Sequence, residues 1–374
     1  MKKNPRVVLA GGVSGGHTFP LIAVAQSLQK KYPGGIEYLF IGSKGPVESE
    51  AMAQQGIPAK YVLTGKWRRY FSLQNVIDLF KIPLGFFQAL WYLFLFLPDA
   101  VFAKGGSASV PVVLAAWLYR IPIIIHDSDA TVGYANRFLA RFATRIAIAY
   151  PSAREFLPEK KTALTGNPVR QEITQGNKER ALLLSGLSSE KPTLLVIGGS
   201  LGATVLNEII LKALPELLAK GIQVYHQTGK EHFEAIKNAV IEYKITLGSG
   251  GYFPKDLLTA EELADALSLA SVVLSRSGAG SVSDIAANKK ATILVPFAAA
   301  ANDEQRLNAY EIAKIGGALV LEEANLVEHI LLEKIDELLS SPELRQSMGE
   351  KMSAFYHPDA ADAIAEGLYS LMNR

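Results

Sequence analysis

Four glycine-rich turns, each directly behind an apolar run, constrain this chain more than any other feature. They read VVLAGGVSGGH (7–17), VFAKGGSAS (101–109), LLVIGGSLGA (194–203) and VVLSRSGAGS (272–281). An apolar run that ends in glycines is what a buried parallel strand looks like where it turns into a helix. Without a Cβ, the backbone turns tightly and lets a ligand come close. The N–H groups of the following helix then point at whatever anion sits there. Two such turns fall in each half, so the sequence predicts an α/β protein of two related halves facing a shared cleft. That arrangement suits an enzyme that holds a phosphorylated donor on one half and an acceptor on the other.

The pattern between the turns agrees. Apolar runs at 6–10, 37–41, 100–103, 121–125 and 145–149 are separated by helix-length stretches, which predicts a parallel sheet. After Thr165-Gly166-Asn167-Pro168 the pattern restarts, with runs at 193–197, 222–226, 272–275, 292–295 and 317–321. Asn-Pro punctuates the chain there and 171–192 is polar, so the boundary is expected near 166–170. A chain of 374 residues is long enough for two domains with separate cores. The tail 357–374 reads as an amphipathic helix with Ala360, Ala363, Ile364, Leu368 and Leu371 on one face.

Composition narrows the function classes. A net charge of +2 gives no global case for nucleic acid. With no cysteine in the sequence, disulfides, thiolate metal sites and a cysteine nucleophile are excluded. The N-terminal apolar run before the first glycines is short, which reads as a first strand and predicts a cytoplasmic protein. Residues 79–98, LFKIPLGFFQALWYLFLFLP, are the one strongly apolar stretch. Their length and flanks fit a crossover helix better than a membrane span. Lys66, Trp67, Arg68, Arg69 and Tyr70 upstream add basic and aromatic groups, so the same helix would also suit peripheral contact with anionic lipid. No cluster of histidines or carboxylates has metal-ligand spacing, so no bound metal is expected.

The glycine turns lack the features of two common nucleotide motifs. GGVSGGH does not have dinucleotide spacing, and Lys44 stands where a ribose-binding acid would close the next strand. No lysine-serine pair follows the glycines as in a P-loop.

Eight segments, in order and over nearly the whole chain, carry a resemblance to a known family. They are GGVSGGHTFP (11–20), KGGSASVP (104–111), HDSDATVGYANR (126–137), GNPVR (166–170), GGSLGA (198–203), HQTGK (226–230), SRSGAGSVSDIAA (275–287) and VPFAAAANDEQRLNA (295–309). The chain resembles the MurG family of bacterial peptidoglycan glycosyltransferases. The resemblance implies a GT-B fold of two Rossmann-like domains. Residues 1–166 would bind the acceptor and face the membrane, 167–356 would bind the nucleotide-sugar, and 357–374 would return to the first domain. It implies inverting transfer of N-acetylglucosamine from UDP-N-acetylglucosamine to an undecaprenyl-diphosphate-linked muramyl peptide, at the inner face of the cell membrane. The UDP-sugar would be a co-substrate, with no bound cofactor.

Chemistry can be read onto the matching residues. A leaving diphosphate gains charge in the transition state, so fixed donors aimed at it lower the barrier. Ser200 and the N–H groups of Gly199, Gly202 and Ala203 would supply them at a helix start, with Arg170 adding positive charge; a plain helix cap would also account for Ser200. Asp284 matches the family's ribose-binding glutamate, in a segment that includes Gly280. Gln305, with Glu304 beside it, matches an amide that contacts sugar hydroxyls. His17 is the candidate general base, since histidine takes protons near neutral pH. The backbone N–H groups of Ser14, Gly15 and Gly16 beside it would hold the acceptor diphosphate, and these three are also counted with the donor site. Gly105, Gly106 and Ser107 form a second phosphate-facing loop, with His126 and Asn136 on the acceptor side. Asp129 replaces a sugar-contacting amide of the family, Leu201 replaces a glutamine, and SGGYF (249–253) reads as a glycine-rich insert. Rival readings are another lipid-directed GT-B enzyme, such as a diacylglycerol glycosyltransferase, and a catalytically silent homologue.

Overall fold

The computed structural model describes residues 4–12, 15–32, 34–65, 73–199 and 202–373. It divides into two compact units, Met1–Arg170 with His357–Arg374, and Gln171–Tyr356. Along the first unit run β1 (Arg6–Gly11), α1 (Gly15–Lys31), β2 (Glu37–Gly42), α2 (Pro46–Gln54), β3 (Ala59–Tyr61), α3 (Leu73–Phe96) and β4 (Ala100–Ala103). They continue as α4 (Ser109–Leu118), β5 (Ile123–Asp127), α5 (Tyr134–Leu139), β6 (Arg145–Ile148) and β7 (Thr162–Leu164). The second unit holds α6 (Lys178–Ser185), β8 (Thr193–Ile197), α7 (Thr204–Ala219), β9 (Gln223–Gln227), α8 (Phe233–Glu242), β10 (Tyr252–Lys255) and α9 (Ala260–Leu269). It goes on through β11 (Val272–Ser275), α10 (Ala279–Ala287), β12 (Thr292–Leu294), α11 (Glu304–Lys314), β13 (Leu319–Val320), α12 (Glu328–Ser340) and α13 (Pro342–Met352). The last helix, α14 (Ala360–Met372), belongs to the first unit.

Each unit is built on one parallel sheet. The strand orders are β3-β2-β1-β4-β5-β6-β7 and β10-β9-β8-β11-β12-β13. Both are doubly wound, with the order reversing between β1 and β4 and between β8 and β11. A crevice opens outside the carboxyl ends of the strands at such a reversal, and ligands of this fold class bind there. All four glycine turns leave from those ends.

Helices cover both faces of the first sheet, so the middles of its central strands are apolar. Val8, Ala10, Val101 and Ala103 pack toward Ala89 and Leu93 of α3 and Val112 and Ala116 of α4. Val7, Leu9, Phe102 and Ile124 pack toward Leu21 and Val24 of α1 and Ile364 and Leu368 of α14. Burial of each such leucine or isoleucine of α14 contributes about 1.5–3 kcal/mol. Stacking of Tyr32 on Tyr369, with ring centroids 3.7 Å apart, and the ion pair of Lys31 with Glu366 pin α14 along α1.

Three expectations change. On α14 the buried face is Ala360, Ile364, Ala365, Leu368 and Leu371; Ala363 is exposed. The stretch 249–253 is not an insert: Tyr252 opens β10, which pairs parallel with β9 from Tyr252↔Val224 to Lys255↔Gln227. The fifth strand of the first sheet starts at Ile123 and runs to Asp127, two residues later than 121–125. The apolar stretch 79–98 lies mostly in α3, and among the described residues no helix is long and apolar enough to cross a membrane.

Candidate active site

In the first unit the carboxyl ends of β1, β4 and β5 bring together most of the residues expected on the acceptor side. Gly15, Gly16 and His17 form the first turn of α1. A Cβ on Gly106 would lie 3.5 Å from His17 Nε2, so the imidazole sits directly against the second glycine loop. Gly105 has φ +87°, and a Cβ there would come 2.7 Å from the Asn136 amide, so the loop closes onto that side chain only as glycine. Ser107 is half-buried on the same loop. Ser14 lies outside the described residues.

Beneath this surface lies a buried polar layer. Asn136 donates from Nδ2 to the His126 carbonyl at 2.9 Å and to Asp127 Oδ2 at 3.0 Å. The Asp127 carboxylate also accepts from the N–H groups of Asp129 at 3.2 Å and Gly133 at 3.1 Å, so it shapes the turn that carries Asp129. His126 is fully buried and donates from Nε2 to the Gly166 carbonyl at 2.9 Å. His126 and Asn136, expected to meet the acceptor, thus spend their described hydrogen bonds on holding loops together. Their other polar atoms, His126 Nδ1 and Asn136 Oδ1, are buried without a hydrogen-bond partner among the described residues.

Electrostatics in this layer centre on a residue that the sequence reading passed over. Lys104 is 2% exposed at the end of β4. Burial lowers its pKa to about 8, while the nearby carboxylates Asp127 and Asp129 act in the opposite sense. Its charge in turn disfavours protonation of the neighbouring imidazoles. His17 is lowered to about 4, first by burial and then by Lys104. His126 is held well below 6.5 by burial and Lys104, against its bond to Gly166. A lysine next to glycines ordinarily reads as a solvated turn residue; only the strand order reveals it as buried.

Arg170, expected at the donor diphosphate, falls in the first unit, with its guanidinium 3.9 Å from the centroid of the Phe19 ring on α1. Asp129 likewise stands in the first unit, on the turn after β5.

The second unit assembles the other expected donor residues around β8 and β11. Ser200 and Leu201 lie outside the described residues. Gly202 donates to the Gly199 carbonyl at 3.1 Å, and Gln227 Nε2 donates to the same carbonyl at 2.8 Å. Gly202 has φ +79°, and a Cβ there would come 2.4 Å from the Thr228 carbonyl, so this loop too needs glycine. Ala203 precedes α7 and supplies no side-chain cap, and Gly278 precedes α10 in the same way. Both helix starts therefore leave N–H groups for an anion or water. Below the loop runs a neutral chain of hydrogen bonds. Tyr252 donates to His226 Nδ1 at 3.0 Å, His226 Nε2 donates to Asn207 Oδ1 at 3.0 Å, and Asn207 Nδ2 donates to the Thr228 carbonyl at 3.0 Å. Burial lowers His226 to about 3, so this chain stays uncharged.

Gly280 and Asp284 lie in the first two turns of α10, with Asp284 half-buried. Ser277 ties the two segments: its hydroxyl donates to the Gln305 carbonyl at 2.7 Å, and Asn308 Nδ2 donates to the Ser277 carbonyl at 3.2 Å. Gln305 Oε1 accepts from the Phe297 N–H at 3.1 Å, leaving its amide NH2 without a partner among the described residues. Glu304 opens α11, directly after Asn302 and Asp303, whose φ values of 55° and 56° place two successive non-glycine residues in the left-handed region. Strain of this kind collects at functional loops. Arg276, also passed over, is 8% exposed. It donates to the Val295 carbonyl at 3.1 Å and pairs with Glu323, which accepts from the Ala298 N–H at 3.2 Å. The pair fixes the start of the 295–305 loop.

Residues 7–148 match the model of the glycosyltransferase family 28 N-terminal domain, and residues 193–364 match that of the family 28 C-terminal domain. A UDP-N-acetylglucosamine–N-acetylmuramyl-(pentapeptide) pyrophosphoryl-undecaprenol N-acetylglucosamine transferase of Lachnospira eligens is 40% identical over 334 residues, 89% of this chain and 90% of the relative. The chain belongs to the MurG branch of glycosyltransferase family 28. A MurG-branch transferase of the same name from Thermodesulfovibrio yellowstonii is 35% identical over 99% of both chains. The crystal structure of Acinetobacter baumannii MurG superposes with a TM-score of 0.73 at 26% identity, covering 98% of this chain and 100% of that one. At 14% identity and a TM-score of 0.70, the S. aureus MnaA–UDP structure shares the fold with this MurG-branch chain.

Proposed function

We infer that this chain transfers N-acetylglucosamine from UDP-N-acetylglucosamine to the 4-hydroxyl of undecaprenyl-diphosphate-linked N-acetylmuramyl peptide, with inversion at the anomeric carbon. The observation that carries the reading is the match through both domains to transferases of that activity, at 40% identity over 89% of the chain. The UDP-sugar is the co-substrate.

On this reading the first unit takes the acceptor and the second the donor. His17 accepts the proton of the 4-hydroxyl as its oxygen attacks the anomeric carbon, and the sugar–phosphate bond breaks toward UDP. A neutral imidazole is the form that can take that proton, and the charge of Lys104 favours it. The N–H groups of Gly15 and Gly16, with Ser14, and the Gly105–Gly106–Ser107 loop receive the acceptor diphosphate. Asn136 backs that loop at Gly105, and the His126 carbonyl holds the Asn136 amide. At the donor, Ser200 and the backbone of Gly199, Gly202 and Ala203 receive the leaving diphosphate where charge develops. Arg170 adds positive charge, Asp284 beside Gly280 takes the ribose hydroxyls, and Gln305, Glu304 and Asp129 read the sugar. The amide NH2 of Gln305, without a partner among the described residues, suits a sugar oxygen.

The acceptor's lipid tail requires the enzyme to work at a membrane surface, the inner face on this reading. Leu84, Phe87, Trp91, Phe94 and Leu95 of α3 are all more than half exposed. Trp117 and Leu118, at the end of the neighbouring α4, are too. This apolar surface supports peripheral docking, to which Lys66, Arg68 and Arg69, outside the described residues, would add charge. Co-sedimentation with phosphatidylglycerol vesicles checks it: binding should be salt-sensitive and fall when Phe87, Trp91 and Phe94 are changed to serine.

The activity is tested by radiolabel transfer from several UDP-sugars to the muramyl lipid and to diacylglycerol. Transfer of N-acetylglucosamine to the muramyl lipid is expected. Transfer only to diacylglycerol, or none with intact UDP binding, would replace the reading with one of its rivals.

A further inference from the structure

Ala103 of β4 pairs with Ile125 of β5, so the next residues, Lys104 and His126, fall side by side. Phe102 and Ile124, two residues back in each strand, lie in the cluster beneath α1 and α14. Side chains two apart in a strand share a face, so Lys104 runs under the first turn of α1, where His17 stands. Its stem is packed against the first glycine turn, with Lys104 Cβ 3.4 Å from where a Cβ of Gly11 would be. Its ammonium has no hydrogen bond or ion pair among the described residues. The charged and titratable groups around this point come from four elements. His17 is on α1, where Arg170 also lies on Phe19; Glu48 of α2 reaches Gly12; His126 and Asp127 end β5; Asp129 follows on the turn.

A buried ammonium without a hydrogen-bonded partner is costly, and an anion brought next to it relieves that cost. The loop it supports, Gly105–Gly106, is the one that reaches His17 Nε2. Anything anionic on that loop therefore meets both the lysine charge and the imidazole.

We propose that Lys104 is a positioning residue that ties the proton affinity of His17 to the charge of the acceptor. Before the acceptor binds, the ammonium adds to burial in lowering the proton affinity of the imidazole. A diphosphate docked on the Gly105–Gly106 loop offsets that charge and makes His17 the stronger base at the moment the 4-hydroxyl arrives. The proton then passes from that hydroxyl to His17 Nε2, the oxygen electron pair forms the new glycosidic bond, and the electrons of the broken bond leave on UDP. Aspartate at position 129 fits the same scheme, since it supplies a second counter-charge to a lysine buried behind the loop. The proposal rests on the reading of His17 as the base, and the experiment separates the two.

The full chain, labelled with ¹³C-histidine, is titrated from pH 7.5 to 3, across the native His17 midpoint near 4, with the donor site filled by UDP. The His17 signal is identified by its loss in His17→Gln. In the native protein it should stay at the neutral position down to about pH 5 and pass its midpoint near 4. Inorganic diphosphate should shift its midpoint upward by about one pH unit, as expected when an opposite charge enters beside it. Lys104→Met should produce a shift of that size without diphosphate and abolish the response to diphosphate. Lys104→Arg, which keeps the charge, should behave like the native protein. The acid limb of kcat/KM, which reports the free enzyme, should move to higher pH by about one unit in Lys104→Met only. A His17 midpoint unmoved by Lys104→Met, or a diphosphate response that survives it, overturns the proposal. Should Lys104→Met fail to fold, Lys104→Gln carries the same expectation. Normal turnover in His17→Gln would end the reading of His17 as base while leaving the titration to decide the coupling.

Discussion

The two sheets present the same kind of glycine loop, yet they stiffen it in opposite ways. Under the loops of the first unit lie charges: the Lys104 ammonium beside the carboxylates of Asp127 and Asp129, with His17 and His126 kept neutral nearby. Under the loop of the second lies the uncharged chain of Tyr252, His226, Asn207 and Thr228, with Gln227 on the Gly199 carbonyl. A neutral, fully bonded network holds donors at fixed positions with little reorganisation, which suits a leaving diphosphate. A charged layer adjusts proton affinities, which suits the side where a hydroxyl must lose its proton. With the acceptor on the first unit and the donor on the second, as proposed, the difference would tie the two halves of one reaction to two kinds of buried polar structure, and it can be broken by experiment.

The largest effect is expected from His17→Ala. Turnover should fall by about 10²–10⁴, the usual contribution of a positioned base, while UDP affinity measured by calorimetry stays close to native. A fall of less than tenfold would make His17 a binding residue and remove the proton chemistry from the charged side.

The converse change, Asp284→Ala, should act on binding. Loss of a charged hydrogen bond to the ribose costs about 1.5–3 kcal/mol of UDP affinity. The acid limb of the rate profile should not move, because Asp284 belongs to the second unit, whereas Lys104 and His17 belong to the first. Unchanged UDP affinity would remove Asp284 from the donor site.

How far these contrasts were legible in the sequence depends on burial. Central strands such as β1, β4, β8 and β11 are covered by helices on both faces and show as unbroken apolar runs. Edge strands β3 and β7 carry Lys60 and Thr162 and gave no such signal, and β10 was hidden in SGGYF for the same reason. Ala363 and Ala365 are equally apolar, so helical spacing did not decide which of them faces α1. The loop glycines and His17 were visible because loop and helix start are local patterns. Lys104, Arg276 and the buried partners of His226 were not, because their surroundings come from strands far apart in sequence. Arg170 was placed by motif near the donor, whereas its described contact is with Phe19.

The smallest effect concerns stability, and it tests whether the charged and neutral layers differ in the fold itself. His226 is lowered to about 3 and His17 to about 4, and His126 lies well below its usual value, whereas in an unfolded chain each titrates near 6.5. The unfolded state therefore binds more protons below pH 6.5, so stability is complete above that value and is lost as pH falls toward the folded values. Each such histidine costs at most about 1.4 kcal/mol per pH unit within that range, and less close to pH 6.5. Two of them, His17 and His126, lie in the first unit and one, His226, in the second. The lowered pKa of Lys104 acts in the opposite part of the scale: the unfolded lysine holds its proton above pH 8, so that contribution is constant between pH 5 and 7. The tryptophans Trp67, Trp91 and Trp117 all fall in the first unit, so their fluorescence follows its unfolding, while circular dichroism follows both units. In urea titrations at pH 6.5 and 5.5, where each unfolded histidine is leaving its midpoint, the fluorescence transition should lose about 2 kcal/mol, twice the loss in the remaining dichroism transition. His226→Gln, which keeps a polar group between Tyr252 and Asn207, should flatten the dichroism slope and leave the fluorescence slope alone. Equal slopes in the two units, or a fluorescence slope that responds to His226→Gln, would show that the buried histidines of the two layers are not independent.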